Sequence, residues 1–505
     1  MATAISTTRT LWRAGCRRGL VSRSRSARLL ATAATEKRQG DISDAFASLS
    51  GKGFSPLDPR FAAVKQQLVA GHEDALQASW FRLLELLQEE TALIAEQGSK
   101  AIPEVDYQDI TSPSADFRAV HRKRGVAVIR NVIPDDEVLA MKDELRAYIA
   151  ANPHTKAFPP ENPQVFELYW SPAQIKARSH PNLLKAQQFL MKFWHSKDPN
   201  ALVSTRHPAI YADRLRMRLP GDARFALGPH VDGGSCERWE ETGYGRGKVY
   251  ADIWRGDWES YDPWESSCRL PVVSDLYRGV GACSMFRMFQ GWLSMSTTGP
   301  FQGTLLVNPL LRHSTAYFLL RPFFSSRNTN SESADYLAPS NWPLDLSSTN
   351  SWLHGASQGH GQELRPELHP HLKLEETMIH MPEVHPGDYV SWHCDTIHAV
   401  DKVHSGFSDS SVMYIPTCPL TVSNAEYLAR QRRAFLDGTP SPDFGGGLGE
   451  SQHIGRMGVE DVRRVDEGAG MRGMGLREFD DGEEGLSDGE REVVARANKI
   501  LGFYD

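Results

Sequence analysis

Leu227-Gly228-Pro229-His230-Val231-Asp232-Gly233-Gly234 sets an imidazole and a carboxylate two residues apart, with glycines on both sides. On an extended strand, residues i and i+2 point to the same face, so His230 and Asp232 can grip one ion together. A second stretch, Gly387-Asp388-Tyr389-Val390-Ser391-Trp392-His393-Cys394-Asp395-Thr396-Ile397-His398, offers a further imidazole. His393 falls near the end of a strand running through Trp392, and His398 lies just past the turn Cys394-Asp395-Thr396. Either can complete a set of two histidines and one carboxylate. With its remaining positions open, that set is the one non-haem Fe(II) oxygenases use.

Many short strands separated by turn residues surround these two stretches, a pattern that favours a β sandwich or barrel. Arg124-Gly125-Val126-Ala127-Val128-Ile129-Arg130-Asn131-Val132-Ile133 is a β-branched run stopped by Pro134. Arg214 to Leu219 alternates charge with apolar residues, as a half-buried strand does. Further strands are expected over 283–296, 303–308, 377–381, 388–393 and 411–415. Helices are expected over 58–96, with Leu76, Trp80, Leu83, Leu87 and Ile94 on one stripe, over 135–150, and over 181–194. Ser487 followed three residues later by Glu490 marks a capping box for a last helix.

Two long segments break the pattern. Residues 233–279 hold Trp239, Tyr244, Tyr250, Trp254, Trp258, Tyr261 and Trp264, and a loop this long inside a domain is either functional or disordered. Aromatic density argues against disorder, so this excursion is expected to be a lid or substrate wall, with Arg255, Arg269 and Arg278 able to meet an anionic molecule. Residues 325–375, rich in Ser, Asn, Pro and His, read as a surface insertion. His354, His360, His369, His371, His380, His385 and His404 are expected on surfaces or loops.

Composition narrows the class. At 505 residues, with 40% hydrophobic and 24% charged residues, the chain has the balance of a globular protein. No run approaches the ~20 apolar residues a membrane span needs. The net charge of -7 gives no reason to expect nucleic acid as partner. Six cysteines without CxxC spacing fit a reducing compartment. Residues 1–35 carry Arg9, Arg13, Arg17, Arg18, Arg23, Arg25 and Arg28 and no acid before Glu36. That is the composition of a mitochondrial transit peptide, which directs the expectation to the matrix. The expected organisation is 1–35 transit peptide, 36–109 linker and helix, 110–435 catalytic domain, and 436–505 a Gly- and acid-rich tail, either loosely ordered or laid along the core.

The chain resembles the phytanoyl-CoA-dioxygenase-type branch of the Fe(II)/2-oxoglutarate oxygenases, and within it the YbiU-like family, a domain of unknown function from bacteria and fungi. The likeness spans roughly residues 110–435. Gly125 to Pro134 resembles the superfamily's opening strand and His230-Val231-Asp232 its HxD motif. Gly303-Thr304-Leu305-Leu306-Val307-Asn308-Pro309 is similar to its NG-x-L-x-V-x-P strand, and Gly387-Asp388 with His398 ten residues on to its distal GD…H element. The resemblance implies a mainly β fold with flanking α-helices around a double-stranded β-helix (jelly roll, cupin-like) core. It selects His398 over His393 as the third ligand. It further implies an oxidoreductase that uses Fe(II), 2-oxoglutarate as cosubstrate and O2 to hydroxylate a small molecule.

One departure stands out. Relatives in that superfamily place an arginine about a dozen residues after the distal histidine to clamp the far carboxylate of 2-oxoglutarate, and 399–427 contains none. Lys402 and His404 are the basic residues there, and Ser410 or Ser411 could contribute hydroxyls. Arg287, on the strand that is expected to carry Trp292 as well, is the first candidate anchor, followed by Arg216 and Arg218. The missing arginine leaves open a cupin-like metalloenzyme that does not use 2-oxoglutarate; a third class, a non-catalytic binding protein on the same fold, is disfavoured by the intact His230, Asp232 and His398.

Overall fold

In the computed structural model, residues 45–47 and 54–504 are described, except 224, 225 and 281. The expected transit peptide lies outside them. In chain order the strands are β1 (Glu104–Asp106), β2 (Val126–Arg130), β3 (Ala157–Phe158), β4 (Val165–Phe166), β5 (Val203–Ala209), β6 (Leu215–Arg218), β7 (His230–Val231) and β8 (Phe289–Ser294). They continue with β9 (Leu305–Val307), β10 (Gln362–Glu363), β11 (Ile379–His380), β12 (Tyr389–His393), β13 (His398–Val400), β14 (Ser410–Tyr414) and β15 (Cys418–Thr421). Eight strands form one sheet in the order β1-β2-β12-β8-β14-β6-β4-β3, and five form a second in the order β10-β7-β13-β9-β11. The pair β5 and β15 stands apart. All pairings are antiparallel except β1 with β2.

Side-chain alternation divides the large sheet into two faces. Val126, Val128, Trp292, Val390 and Trp392 pack in one cluster with Val231, Leu305, Val307 and Ala399 of the small sheet. Ala127, Ile129, Phe289, Leu293, Tyr389 and Met413 pack on the opposite side with Val138, Met141 and Leu145 of helix Asp135–Ala151 and with Leu183, Ala186 and Leu190 of helix Pro181–Met191. Burial on both faces explains why β2 reads as an unbroken apolar run rather than an alternating one. Helix Glu73–Gln97 joins the first cluster, and its Trp80 stacks on Phe324 with ring centroids 4.4 Å apart.

The result is a mixed fold of several sheets and many helices, and helix outweighs strand in the regular structure, so "mainly β" understates the helical share. Helices Ala115–Arg124, Leu311–Leu320 and Val422–Asp437 lie in stretches where no helix is expected. The expected strand over 283–296 shortens to β8, because the chain before Phe289 runs as loop.

Residues 325–375 are not a surface insertion. Trp342, Leu353, Leu364 and Leu372 are buried, and β10 pairs with β7, setting Glu363 opposite His230. The segment closes the edge of the small sheet beside a site residue. His369 and His371 are buried as well, and burial pulls both imidazoles down to about 3. His404 is also buried, with its Nε2 on Ser408 O at 2.8 Å.

The C-terminal tail is laid along the core. Helix Asp488–Ile500 starts on the expected capping box: Ser487 Oγ accepts from Glu490 N at 3.2 Å and Glu490 Oε2 accepts from Ser487 N at 3.0 Å. Glu450 fixes the tail's first part. Its carboxyl is fully buried and accepts the N–H groups of Tyr169 (2.6 Å) and Trp170 (2.8 Å) and the hydroxyl of Tyr148 (3.1 Å). Burial raises its pKa to about 7, with the hydrogen bonds opposing. A raised folded-state value means that the folded chain holds a proton the unfolded chain releases. Glu450's linked stabilisation is therefore fully present below the usual value of 4.5 and is lost as pH rises through about 7. In urea unfolding, Glu450→Gln is expected to gain stability relative to the wild type as pH goes from about 5 to about 8. A difference that stays flat with pH would contradict this.

Candidate metal centre

His230 lies on β7, and His398 on the adjacent antiparallel β13 is its direct partner in register. This one pairing brings the two imidazoles together with ring centroids 4.1 Å apart. Asp232 follows immediately after β7. His230 Nε2 is 3.7 Å from Asp232 Oδ1, and His398 Nε2 is 4.0 Å from Asp232 Oδ2. One ligand atom from each residue lies within 4.8 Å of the others.

The tautomers suit a cation. His230 Nδ1 meets Gly228 O at 2.7 Å and His398 Nδ1 meets Thr396 O at 3.1 Å. A carbonyl can only accept, so each Nδ1 carries the hydrogen and each Nε2 presents its lone pair to the shared space. Burial, with His230 beside it, pulls the His398 imidazole down to about 3, so the ring is neutral near pH 7. Burial works against the Asp232 carboxylate, but His230, His398 and Arg287 outweigh it and hold its pKa below the usual range. Two imidazoles and one carboxylate fit a divalent transition metal.

The stretch after Asp232 is held by backbone geometry and by Arg238. Gly234 has φ +79°, and a Cβ there would come within 2.3 Å of Ser274 O. Arg238 Nη2 donates to Asp232 O at 2.6 Å, its Nη1 donates to Gly234 O, and Tyr244 Oη donates to Gly233 O at 2.8 Å.

The turn that presents His398 is held by a buried ion pair. Arg269 Nη2 meets Asp395 Oδ2 at 2.5 Å with both side chains buried, and Tyr261 and Tyr250 donate hydroxyls to the same carboxylate at 3.1 and 3.3 Å. His393, Cys394 and Asp395 are close enough to bind a metal themselves. Their groups are already engaged: Asp395 by Arg269, and His393 Nε2 by Pro263 O at 2.9 Å. His393 also stacks on Trp194 with centroids 4.6 Å apart.

The aromatic excursion is therefore a buttress rather than a lid. All seven of its named Trp and Tyr residues are buried. Tyr244 alone among them borders a small cavity beside Asp232. Arg269 is consumed by Asp395, and Arg255 pairs with Asp252.

A cavity of about 180 Å³ opens on the three candidate ligands, lined from both sheets. Trp292 and Arg216 line it, and so does Arg287, whose Nη2 is 3.6 Å from Asp232 Oδ2. Arg287 precedes β8 rather than lying on it. Arg216 is buried on β6, opposite Val412 of β14, another lining residue. Arg218 does not line the cavity: its Nε meets Asp222 Oδ2 at 2.8 Å, and its Nη atoms donate to Asp401 O and Lys402 O. Sequence reasoning missed Phe46, which lines the cavity and meets His230 edge-on with centroids 4.8 Å apart. A single Phe in a polar linker carries no signal for this.

A profile of the Gig2-like family matches residues 55–476. The chain belongs to that family. It is 31% identical over 380 residues to the uncharacterized protein YbiU of Escherichia coli (strain K12), covering 72% of this chain and 84% of YbiU. The crystal structure of GlcNAc Inducible Gene 2, GIG2, from Candida albicans superposes with a TM-score of 0.77 at 32% identity, over 88% of this chain and 95% of that one. A Salmonella typhimurium LT2 structure named "Putative Oxidoreductase" gives a TM-score of 0.71 at 29% identity, over 83% and 98% of the two chains.

In this Gig2-like chain, removing one partner of the Arg269–Asp395 pair leaves an uncompensated buried charge. Arg269→Ala is expected to cost about 3–5 kcal/mol in denaturant unfolding. A loss below about 1 kcal/mol would show that the pair does not hold the turn.

Proposed function

We propose that this Gig2-like protein is a non-haem Fe(II)- and 2-oxoglutarate-dependent dioxygenase that oxidises a small molecule, with its two main sheets arranged as a double-stranded β-helix. The convergence of His230 Nε2, His398 Nε2 and the Asp232 carboxylate on one cavity carries the reading. These three groups would hold the iron. Iron held in this way supplies, with O2 and 2-oxoglutarate, the oxidation of an unactivated C–H bond coupled to loss of carbon dioxide from the cosubstrate.

The chain's own residues bind, orient and exclude water. Gly228 O and Thr396 O fix the two imidazoles. Arg287 lies beside the second oxygen of Asp232 and favours its ionised form. Arg216 is the anchor for the far carboxylate of 2-oxoglutarate. It lies opposite Val412, fourteen residues after His398, so β6 delivers a guanidinium to the region where the superfamily takes one from the strand after the distal histidine. A planar guanidinium suits a carboxylate bidentately. Phe46, Trp292 and Trp392 keep the cavity wall apolar.

A second reading, a cupin-like metalloenzyme that does not use 2-oxoglutarate, rests on the absence of arginine from 399–427. Anaerobic titration of the iron-loaded protein with 2-oxoglutarate, followed by visible absorption, separates the two. A metal-to-ligand charge-transfer band is expected. It should be lost in Asp232→Ala together with the iron, whereas Arg216→Met should keep the iron and weaken 2-oxoglutarate binding by about tenfold or more. Iron bound without the band would favour the second reading, and a band insensitive to Arg216→Met would remove Arg216 as the anchor.

A further inference from the structure

Outside the candidate metal centre, a groove of about 550 Å³ lies between helices Ala115–Arg124 and Pro181–Met191. Its lining holds four cations and no carboxylate. Arg118 and Arg122 are four residues apart on the first helix, so they share a face. Lys185 lies on the second helix and Lys192 at its C-terminal end, two turns further on. Cations and carboxylates elsewhere on this surface pair readily: Lys123 and Arg124, immediately beyond Arg122, both bind Glu90 at 2.6 and 2.9 Å. Arg118, Arg122, Lys185 and Lys192 have no carboxylate partner among the described residues. In a chain of net charge -7, four such cations in one concave surface are a local reversal of sign. A cleft of one sign with apolar walls focuses its field on a counter-ion.

The groove also has aromatic lining. Phe189, Phe193 and Tyr107 line it, and the Arg122 guanidinium sits 5.6 Å from the Phe193 ring centroid. Its volume is in the range of roughly 300–1,000 Å³ typical of small-molecule sites. Cations from both helices together with aromatic lining match a ligand that has several negative charges at one end and a flat ring at the other. We propose that this groove is a second ligand site, separate from the metal centre, for a nucleoside polyphosphate. Arginine can engage phosphate oxygens bidentately, lysine adds point charge, and the aromatic lining receives the ring.

The test is calorimetric titration of the full chain with ADP, with inorganic pyrophosphate, and with vesicles containing phosphatidylserine. ADP is expected to bind at least tenfold tighter than pyrophosphate, and more weakly as salt rises. The charge reversals Arg122→Glu and Lys185→Glu should each weaken ADP binding tenfold or more while leaving the melting temperature and iron content unchanged, since both side chains are exposed and unpaired with acids. Absence of ADP binding, ADP affinity unchanged by both reversals, equal affinity for pyrophosphate, or binding to the vesicles but not to ADP would each overturn the proposal.

Discussion

One register point, His230 opposite His398 on antiparallel neighbours, determines whether the candidate metal centre exists. A one-residue slip of β13 against β7 would turn one of the two imidazoles to the other face of the small sheet. β7 is only two residues long, so its own ladder cannot enforce the register. β10 holds it from one side and β13, itself paired with β9, from the other. The segment 325–375 supplies β10, which explains why so polar a stretch sits buried at the sheet edge.

Two imidazoles and a carboxylate meet here, and the surroundings hold them in place. Arg238 grips the backbone on either side of the Asp232–Gly234 bend, and Arg269 with two tyrosines fixes the turn before His398. Two buried guanidiniums stay charged only among strong partners, and the Trp and Tyr residues of 233–279 form the dry shell that makes those partners count. Gly387 belongs to the same scaffold: at φ +87° its carbonyl accepts the N–H groups of Val132 and Ile133, and a Cβ there would come within 1.9 Å of Ile133 O. The GD half of the distal element therefore ties β12 to the end of β2, and its other residue, Asp388, pairs with Arg130 at 2.5 Å.

Much of this was legible in the residues. Alternation and β-branching mark β6, β12 and β14 to within one residue and β2 to within three. The spacing of His230 and Asp232 showed a gripping pair, though spacing alone left His393 and His398 equal. The register that sets His398 opposite His230, and the occupied partners of His393 and Asp395, distinguish them physically. What stayed hidden depends on contacts distant in sequence. That Arg216 reaches the cavity and Arg218 does not is set by strand pairing, and Phe46 reaches it from a linker with no periodicity. The aromatic excursion looked like a wall because composition reports that rings will be buried, not against what. His369, His371 and His404 looked superficial because a buried imidazole has no signature in the chain.

Anomalous diffraction at the iron edge, from crystals grown anaerobically with Fe(II), tests the central claim most directly. A single anomalous peak is expected between His230 Nε2, His398 Nε2 and the Asp232 carboxylate, about 2 Å from each. No peak there, or a peak at His393, Cys394 and Asp395 instead, would contradict the account.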